Sequence, residues 1–198
     1  MASLHFHYGT MSSGKSGRII DTAFSLNQTK KKVEVVKPAF DTRDSKTAVV
    51  SRTGRSTPAL ALKTLADYKP SAGTKFVLVD EVQFFTPSDI DALVHIADSS
   101  NVIVMCYGLM VDSNEHIFPA SRRLIEVGAK LHQMETTCQI NGCMKLATHH
   151  LRYDKSGRGK KVVHDGQQCA VGDDEYKSVC RHHYYKYYYG TMNKQKGR

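Results

Sequence analysis

No apolar run in this sequence is long enough to cross a membrane. The longest, residues 76–79 and 102–107, fall far short of the roughly 18–20 residues that a membrane helix needs. The first residues, Met1-Ala2-Ser3-Leu4-His5, also lack a basic region followed by an apolar stretch, so no secretory signal is visible. We therefore expect a cytoplasmic protein with no membrane association.

Cysteines are few and odd in number. The five are Cys106, Cys138, Cys143, Cys169 and Cys180. In a chain without an export signal, this number argues against a disulfide framework and favours metal binding or thiol chemistry. We expect Cys106 to pack inside a buried strand, and Cys169 has no obvious partner in the sequence.

Acidic residues are scarce relative to basic ones. The chain has 19 Asp and Glu against 28 Lys and Arg, which gives a formal net charge of +9. Such an excess indicates a polyanionic partner, and the motifs must decide between nucleotide phosphates, a nucleic acid and a membrane surface.

The size and composition are those of a globular protein. The 198 residues are 40% hydrophobic and 24% charged, which predicts one domain, or one domain with a small lobe. Predicted strands alternate with predicted helices, which is typical of an α/β fold with a mainly parallel sheet covered on both faces. We also expect a long polar loop over residues 39–58, a helix over 59–68 and another helix around 121–131.

A phosphate-binding loop follows the first predicted strand and precedes the first predicted helix. It satisfies the pattern G-x-x-x-x-G-K-[ST] and consists of Gly9-Thr10-Met11-Ser12-Ser13-Gly14-Lys15-Ser16. Backbone N–H groups of such a loop surround phosphates at the positive end of the helix, while Lys15 neutralises the outer phosphates and Ser16 binds Mg²⁺. An ordinary glycine turn is the alternative, but the strand-to-helix context favours a nucleoside triphosphate site.

Two adjacent carboxylates end the most apolar predicted strand. Asp80 directly follows residues 76–79, at the sheet edge where the phosphate loop is expected, and Glu81 comes next. In a phosphate-loop protein an aspartate in this place orients Mg²⁺, and a second carboxylate can accept a proton from an attacking hydroxyl group or water. The alternative is a charged turn at the end of a strand.

The sequence changes character after about residue 133, where a small lobe is predicted. Two short motifs supply candidate metal ligands, Cys138 with Cys143 and Cys180 with His183. His182 is an alternative to His183 as the fourth ligand. Two such pairs form a closed tetrahedral Zn²⁺ site, which stabilises a lobe too small to bury much core. Unconnected core cysteines are the alternative. For the tyrosine-rich segment over 184–189 we expect a helix that packs its aromatic face on the lobe, rather than a surface that stacks nucleic-acid bases.

Six motifs, in order along nearly the whole chain, carry a family resemblance. They are Gly9-x-Met11-x-Ser13-Gly14-Lys15-Ser16, Lys37-Pro38-Ala39-x-Asp41-x-Arg43, Ser51-Arg52-x-Gly54, Asp80-Glu81-x-Gln83-Phe84-Phe85, Tyr107-Gly108-Leu109 and Tyr176-x-Ser178-Val179-Cys180-Arg181. Together they resemble the type II thymidine kinases, a family of cellular cytosolic, bacterial and poxviral enzymes.

The resemblance implies a RecA-like P-loop kinase core over residues 1–133 and a zinc-binding lobe over residues 134–198. It implies transfer of the γ-phosphate of ATP to the 5′-hydroxyl of thymidine or deoxyuridine in nucleotide salvage, with Mg²⁺ and a structural Zn²⁺. It also implies a homotetramer inhibited by thymidine triphosphate (dTTP), and no nucleic-acid partner.

Residue roles follow from positions that match the family's motifs. Glu81 matches the catalytic base. The nucleotide and its metal are assigned to the phosphate loop together with Asp41, Arg43, Asp80 and Gln83. The thymidine pocket is assigned to Met11, Phe84, Leu109, Phe118, Cys169, Ala170, Val171 and Tyr176, the last four in a loop over 167–176 that folds over the nucleoside.

Two positions depart from the family pattern and concern the base pocket. Ser113 follows Asp112 where many relatives carry an aromatic residue, and Val171 stands where relatives carry glycine, which has greater conformational freedom. The thymine pocket is therefore less certain than the ATP site.

The net charge of +9 and the basic, tyrosine-rich tail keep two other functions open beside the kinase. They are a P-loop ATPase acting on nucleic acid and a zinc-ribbon module that binds through its basic tail.

Overall fold

The computed structural model describes residues 3–41, 45–154, 161–164 and 175–196. The strands, in chain order, are β1 (Leu4–Gly9), β2 (Val33–Pro38), β3 (Ala48–Val50), β4 (Ser56–Pro58), β5 (Leu60–Leu62), β6 (Phe76–Val79), β7 (Ile103–Gly108), β8 (Lys130–Met134), β9 (His149–Asp154), β10 (Lys161–Val162) and β11 (Glu175–Val179). The helices are α1 (Lys15–Gln28), α2 (Pro87–Ser100), α3 (Pro119–Glu126) and α4 (Arg181–Lys196), and Val82–Phe84 form a single 3₁₀ turn.

A six-stranded sheet forms the centre of the core. Its order is β5-β2-β6-β7-β1-β8, and every neighbouring pair runs parallel. One strand, β7, separates the strand that leads into the phosphate loop from the strand that leads into Asp80. The predicted α/β class with a mainly parallel sheet is confirmed.

Both faces of the sheet are buried, because β6 alternates its apolar side chains between two layers. Val77 and Val79 pack on one face with residues of α2 and α3, whereas Leu78 packs on the other face with Ile19 of α1 and Tyr107. A strand with no polar face can be stable only in this doubly covered position. The helices on both faces thereby hold the parallel strands in place, and the carboxyl ends of these strands lie at one edge of the sheet.

Helix α2 begins with a capping box formed by Thr86 and Asp89. The Thr86 hydroxyl accepts a hydrogen bond from the Asp89 backbone N–H, and the Asp89 carboxylate accepts one from the Thr86 N–H. Pro87 occupies the first helical position, where its missing N–H costs nothing. This capping box fixes the residue at which α2 begins.

The predicted helix over residues 59–68 is wrong. Leu60–Leu62 form strand β5 instead, and they extend the sheet by pairing with β2, Val36 opposite Leu60 and Pro38 opposite Leu62. Periodicity alone cannot separate a short apolar run in a strand from one in a helix. The unpaired edge of β2 decides the matter, because its backbone groups need partners.

Two further expectations need correction. The segment 39–58 is not a continuous loop, because β3 and β4 pair in it as an antiparallel hairpin. The helix expected around 121–131 spans Pro119–Glu126 and ends before Gly128, whose φ of 75° stops the helix. The residues that follow form β8, the outermost strand beside β1.

The carboxyl-terminal part has its own small sheet and core. Strands β10, β9 and β11 pair in that order, antiparallel, and α4 packs against them. Leu151, Val179, Tyr184 and Tyr188 are buried there. The predicted packing of the tyrosine-rich helix on the lobe is confirmed by the burial of Tyr184 and Tyr188.

Residues 113–115 of the core form one set of contacts with the lobe. Tyr184 donates a hydrogen bond to the Ser113 carbonyl oxygen at 2.8 Å, and Tyr188 donates one to Asn114 Oδ1 at 3.0 Å. Next to them, Glu115 Oε1 lies 3.1 Å from His149 Nε2. These contacts orient the lobe over the carboxyl ends of the parallel strands.

Among the described residues, no helix combines the length and the apolar character that a bilayer span requires.

Candidate active site

A cavity of about 680 Å³ lies at the carboxyl ends of the parallel strands. The sequence-predicted site residues in its wall are Met11, Ser12, Gly14, Lys15, Ser16, Glu81, Gln83, Phe84, Leu109, Phe118 and Tyr176. Asp41 and Asp80 are buried and do not line it. Arg43, Cys169, Ala170 and Val171 lie outside the described residues.

The phosphate loop closes on itself between β1 and α1. The Ser13 N–H donates to the Thr10 carbonyl oxygen, and the Lys15 ammonium group donates to the same oxygen at 2.8 Å and to the Gly9 oxygen at 3.2 Å. Burial lowers the pKa of Lys15, and the charges of Glu81 and Asp80 oppose that shift. The ammonium group is therefore held by weak neutral acceptors, which the charged oxygens of a phosphate can replace.

The start of the loop admits only glycine. A Cβ atom at Gly9 would collide with the Met134 carbonyl oxygen of β8 and with Ser13 Oγ. The first residue of the loop therefore packs against the last residue of the edge strand, and the sheet fixes where the loop begins.

Asp80 and Glu81 leave the end of β6 in different environments. The Asp80 carboxylate is buried and accepts a hydrogen bond from the Glu81 N–H at 3.0 Å. Burial raises the pKa of Asp80, and the negative charges of Glu81 and Asp41 raise it further, while Lys15 opposes them. A buried carboxylate with this excess of negative charge fits a site that receives a cation.

Glu81 has an unusual backbone conformation. Its φ is 47°, in the left-handed region that residues with a side chain enter at a cost of about 1 kcal/mol or more. The turn directs the chain into the 3₁₀ turn, and the Glu81 carboxylate lies in the cavity wall. Strain of this kind is maintained only where neighbouring groups hold the residue in place.

Gln83 is a neighbour that holds the Glu81 side chain. Its side chain is only 2% exposed, and its amide group donates a hydrogen bond to Glu81 Oε2 at 2.6 Å. The amide oxygen accepts one from the Leu109 N–H at 3.0 Å. A Cβ atom at Gly108 would collide with that oxygen, so glycine is required beside it. Gln83 thus connects the carboxylate to the backbone of the apolar pocket.

Aromatic residues form the apolar end of the cavity. Phe84 lies edge-on to Phe118, with 6.3 Å between ring centroids, and edge-on to Phe40, at 5.4 Å. Leu109 and Met11 complete this part of the wall. A flat, partly apolar ring such as a nucleobase fits such a surface.

Two further cations near the phosphate loop, Arg52 and Arg55, were given no role from the sequence. Arg52 of the β3–β4 hairpin donates a hydrogen bond to Ser12 Oγ at 2.6 Å, and Arg55 forms an ion pair with Asp21 of α1. Both arginines line the cavity. The two arginines flank Gly54 in the sequence, which was a possible sign of anion binding. Only the β3–β4 hairpin, however, brings them to the cavity beside the phosphate loop.

Two residues of the lobe hold the phosphate loop and were also missed. The Met11 N–H donates to His150 Nε2 at 2.9 Å, and Ser178 donates its hydroxyl proton to the Met11 carbonyl oxygen at 2.6 Å. Burial lowers the pKa of His150 to about 3, so the ring is neutral and can accept this bond. Ser178 stands in the Tyr-x-Ser-Val-Cys motif, whereas nothing in the sequence marks His150.

The four predicted metal ligands come together in the lobe. The ligand atoms of Cys138, Cys143, Cys180 and His183 all lie within 4.8 Å of one another. Cys138 Sγ and Cys180 Sγ are each 3.4 Å from His183 Nδ1, and the Cys143 and Cys180 sulfurs are 3.9 Å apart. A tetrahedral Zn²⁺ ion with bonds of about 2.3 Å separates its sulfur ligands by about 3.8 Å, so the donor set and spacing fit zinc.

The geometry of α4 determines that His183, and not His182, is the fourth ligand of the cluster. Cys180 precedes α4, and His183 stands three residues later, on the same side of the helix. His183 Nδ1 therefore points to the sulfurs, whereas His182 is exposed. Cys106 lies elsewhere, fully buried in β7 as expected.

Comparison with known proteins assigns the family. Residues 2–184 match the family model described as thymidine kinase. The chain belongs to the thymidine kinase family. It is 34% identical to a thymidine kinase of Idiomarina loihiensis over 192 residues, which cover 93% of this chain and 96% of that relative. It is 37% identical to the thymidine kinase of Shouchella clausii, with 91% and 95% covered, and 35% identical to that of Streptococcus gordonii, with 94% and 97% covered.

Among solved structures, the Pif1 helicase from Candida albicans matches with a TM-score of 0.42 and 14% identity. That match covers 67% of this chain and 36% of the helicase chain.

One departure from the family pattern can now be placed. Ser113, where the family resemblance implies an aromatic residue, lies in the cavity wall with Asp112 and Asn114. Its carbonyl oxygen accepts the hydrogen bond from Tyr184. This thymidine kinase family member therefore has a small polar side chain at this point of the cavity wall.

Proposed function

We propose that this chain transfers the γ-phosphate of ATP to the 5′-hydroxyl of thymidine, or of deoxyuridine, in the salvage of pyrimidine deoxynucleotides. The observation that carries the proposal is the shared cavity. Its wall contains the phosphate loop, the Glu81 carboxylate and an aromatic surface formed by Phe84 and Phe118.

The phosphate end of the cavity binds ATP. Backbone N–H groups of the loop and the Lys15 ammonium group hold the phosphates, and Arg52 and Arg55 supply further positive charge. Lys15 exchanges its bonds to the Thr10 and Gly9 oxygens for bonds to phosphate oxygens. We assign Arg43, which lies outside the described residues, to the same phosphates.

Ser16 and Asp80 are the residues that hold Mg²⁺, with Asp41 nearby. When bound, Mg²⁺ neutralises charge on the phosphate oxygens. The buried Asp80 carboxylate supports this assignment, because burial and the neighbouring Glu81 and Asp41 charges raise its pKa and a cation would relieve that repulsion.

Glu81 acts as the general base. The 5′-oxygen of the nucleoside forms a bond to the γ-phosphorus, and the bond from that phosphorus to the bridging oxygen breaks. ADP leaves with the electron pair, and Glu81 takes the hydroxyl proton. Because this transition state is loose, positioning of the hydroxyl contributes more than the strength of the base. Gln83 contributes by keeping the Glu81 carboxylate in place.

The aromatic end binds the base. Phe84, Phe118, Leu109 and Met11 contact its faces and edges, and Tyr176, which also lines the cavity, closes one side. We assign Cys169, Ala170 and Val171 to the same pocket from the family resemblance. The Cys138, Cys143, Cys180 and His183 cluster binds a structural Zn²⁺, which holds the lobe together.

Other properties of the proposal rest on the family resemblance. These are the homotetramer, inhibition by dTTP, the cytoplasmic location and the division into a kinase core over 1–133 and a zinc lobe over 134–198. Each is a prediction to be tested in solution.

The decisive experiment measures ADP release by the purified chain with ATP and Mg²⁺. Thymidine, deoxyuridine, deoxycytidine and single-stranded DNA are added separately, and the nucleoside monophosphate is identified. We expect stimulation by thymidine with thymidine monophosphate as the product. Stimulation by DNA alone would overturn the proposal in favour of an ATPase that acts on nucleic acid.

The role of Glu81 is tested by Glu81→Gln, which removes the proton acceptor and keeps the shape. We expect kcat to fall by about 10²–10⁴-fold, with ATP binding nearly unchanged. Glu126→Gln is the matched control, because Glu126 is half exposed on α3 and does not line the cavity. Loss of ATP binding in Glu81→Gln would place Glu81 in the metal site instead.

A further inference from the structure

Three histidines meet at the β1–β8 side of the sheet, outside the cavity and the cysteine cluster. His5 and His7 lie two residues apart on β1, so their side chains leave the same face of the sheet. His132 of β8 stands directly opposite His7 in the parallel register. Parallel pairing thus places three imidazole rings on one patch of the sheet surface.

The distances between the rings are those of a potential ligand set. Each ring offers one nitrogen, and the three nitrogens lie within 4.8 Å of one another. His5 Nδ1 is 2.9 Å from His132 Nε2, and the rings of His7 and His132 stack with 4.4 Å between centroids. A tetrahedral ion with Zn–N bonds of about 2.0–2.1 Å separates its nitrogen ligands by about 3.3 Å, so modest rotations of the rings suffice.

The hydrogen bonds leave nitrogen lone pairs available. Within the described part of the chain, the buried His7 Nε2 has no hydrogen-bond partner. His5 Nε2 lies 2.7 Å from the Ser3 hydroxyl group. When His5 donates a proton to that hydroxyl, its Nδ1 lone pair faces the Nε2 atom of His132. In the metal-free form, His132 then donates its Nε2 proton to His5 Nδ1 in a hydrogen bond, and a metal ion can take the place of that bridging proton.

Access and local charge also bear on the site. His132 is exposed on the outermost strand, so an ion can reach the cluster from solvent. His5 and His7 are half-buried, which favours neutral rings, the form that binds metal. Arg18 and Lys130 are close enough to act electrostatically on these rings, and they weaken binding of any cation. Imidazole ligands without carboxylates select borderline ions over Mg²⁺ or Ca²⁺.

We propose that His5, His7 and His132 form a second metal site, which binds a divalent ion of the zinc and nickel class. Ser3 orients His5 from behind, as hydrogen-bond partners of metal-bound histidines commonly do. The site joins β1 to β8, whose ends supply Gly9 of the phosphate loop and Met134 of the cavity wall. A bound ion therefore stabilises the edge of the sheet beside the nucleotide cavity.

The test counts Ni²⁺ ions bound by the full chain without a histidine tag. Wild type, His132→Asn, His5→Asn and His95→Asn are dialysed against micromolar Ni²⁺, and bound nickel is measured by elemental analysis. His95 is the matched control, because it is exposed on α2 and belongs to no histidine cluster among the described residues. We expect wild type and His95→Asn to bind one more Ni²⁺ per chain than His132→Asn or His5→Asn.

Two further readouts separate this site from the cysteine cluster and from misfolding. Ni²⁺ should raise the melting temperature of wild type and His95→Asn but not of His132→Asn, whose metal-free melting temperature should match that of wild type. Cys180→Ser should keep the additional Ni²⁺. Equal nickel binding by wild type, His132→Asn, His5→Asn and His95→Asn would overturn the proposal. Loss of the additional ion in Cys180→Ser alone would overturn it too. None of these outcomes depends on whether the chain phosphorylates thymidine.

Discussion

Replacing Gln83 by leucine separates the positioning of the catalytic carboxylate from the carboxylate itself. Leucine is similar in size to glutamine and keeps the buried volume filled, but it removes both hydrogen bonds of the amide group. Glu81 loses the donor at 2.6 Å, and the Leu109 N–H loses its acceptor at 3.0 Å. The left-handed turn at Glu81 then loses the Gln83 contact to its side chain.

The magnitude follows from the kind of bond that is lost. A hydrogen bond to a charged group contributes about 1.5–3 kcal/mol net. With about 1.4 kcal/mol for each factor of ten in rate, loss of this positioning lowers kcat by about 10–100-fold. The unpaired Leu109 N–H costs a further ~1–3 kcal/mol in folding free energy. KM for ATP should stay within about twofold, because Gln83 has no bond to the phosphate loop among those described.

Steady-state kinetics and thermal unfolding together measure these effects. Gly108→Ala tests the same contact from the other side, since its Cβ would displace the Gln83 amide oxygen, and it should reproduce the fall in kcat. Gln28→Leu, at the exposed end of α1, is the matched control and should behave as wild type. If Gln83→Leu and Gly108→Ala are folded and turn over within twofold of wild type, the positioning argument is refuted.

The remaining predictions concern stability. Cys180→Ser should release bound zinc, as measured by elemental analysis, and lower the melting temperature, and an unchanged zinc content would contradict the ligand assignment. Asp89→Ala should destabilise the fold by about 2–4 kcal/mol in urea unfolding, because the buried carboxylate caps α2 at Thr86 and also accepts hydrogen bonds from Thr64 and Leu65. Burial alone would raise the pKa of Glu34, but hydrogen bonds outweigh it and lower that pKa to about 2. Its stabilising contribution is therefore present above about pH 4 and is lost as the pH falls toward 2, so Glu34→Gln should reduce the acid-induced loss of stability between pH 5 and 2.

Local sequence was a reliable guide where the structure depends on neighbouring residues. The capping box of Thr86 and Asp89 involves residues three apart, and the apolar strand before Asp80 is one continuous run. The helix expected over 59–68 was wrong for the opposite reason. Its residues form a strand only because β2 is available beside them.

The site shows the same division. Glu81, Lys15 and the four proposed zinc ligands could be named from short motifs, because each chemistry requires particular residue types at small spacings. His150 could not be named, because its contact with Met11 joins residues 139 positions apart. Ser178 contacts the same residue across 167 positions.

By itself the sequence determined which chemical groups are present and in what local geometry: a phosphate loop, two carboxylates after an apolar strand, and cysteine pairs. These properties depend on contiguous backbone and on side chains a few residues apart. Tertiary structure alone decided that Gln83 holds Glu81, that the lobe holds the phosphate loop, and that His132 meets His5 and His7. Strand order and register bring those groups together, and both arise from packing of the whole sheet rather than from any single segment.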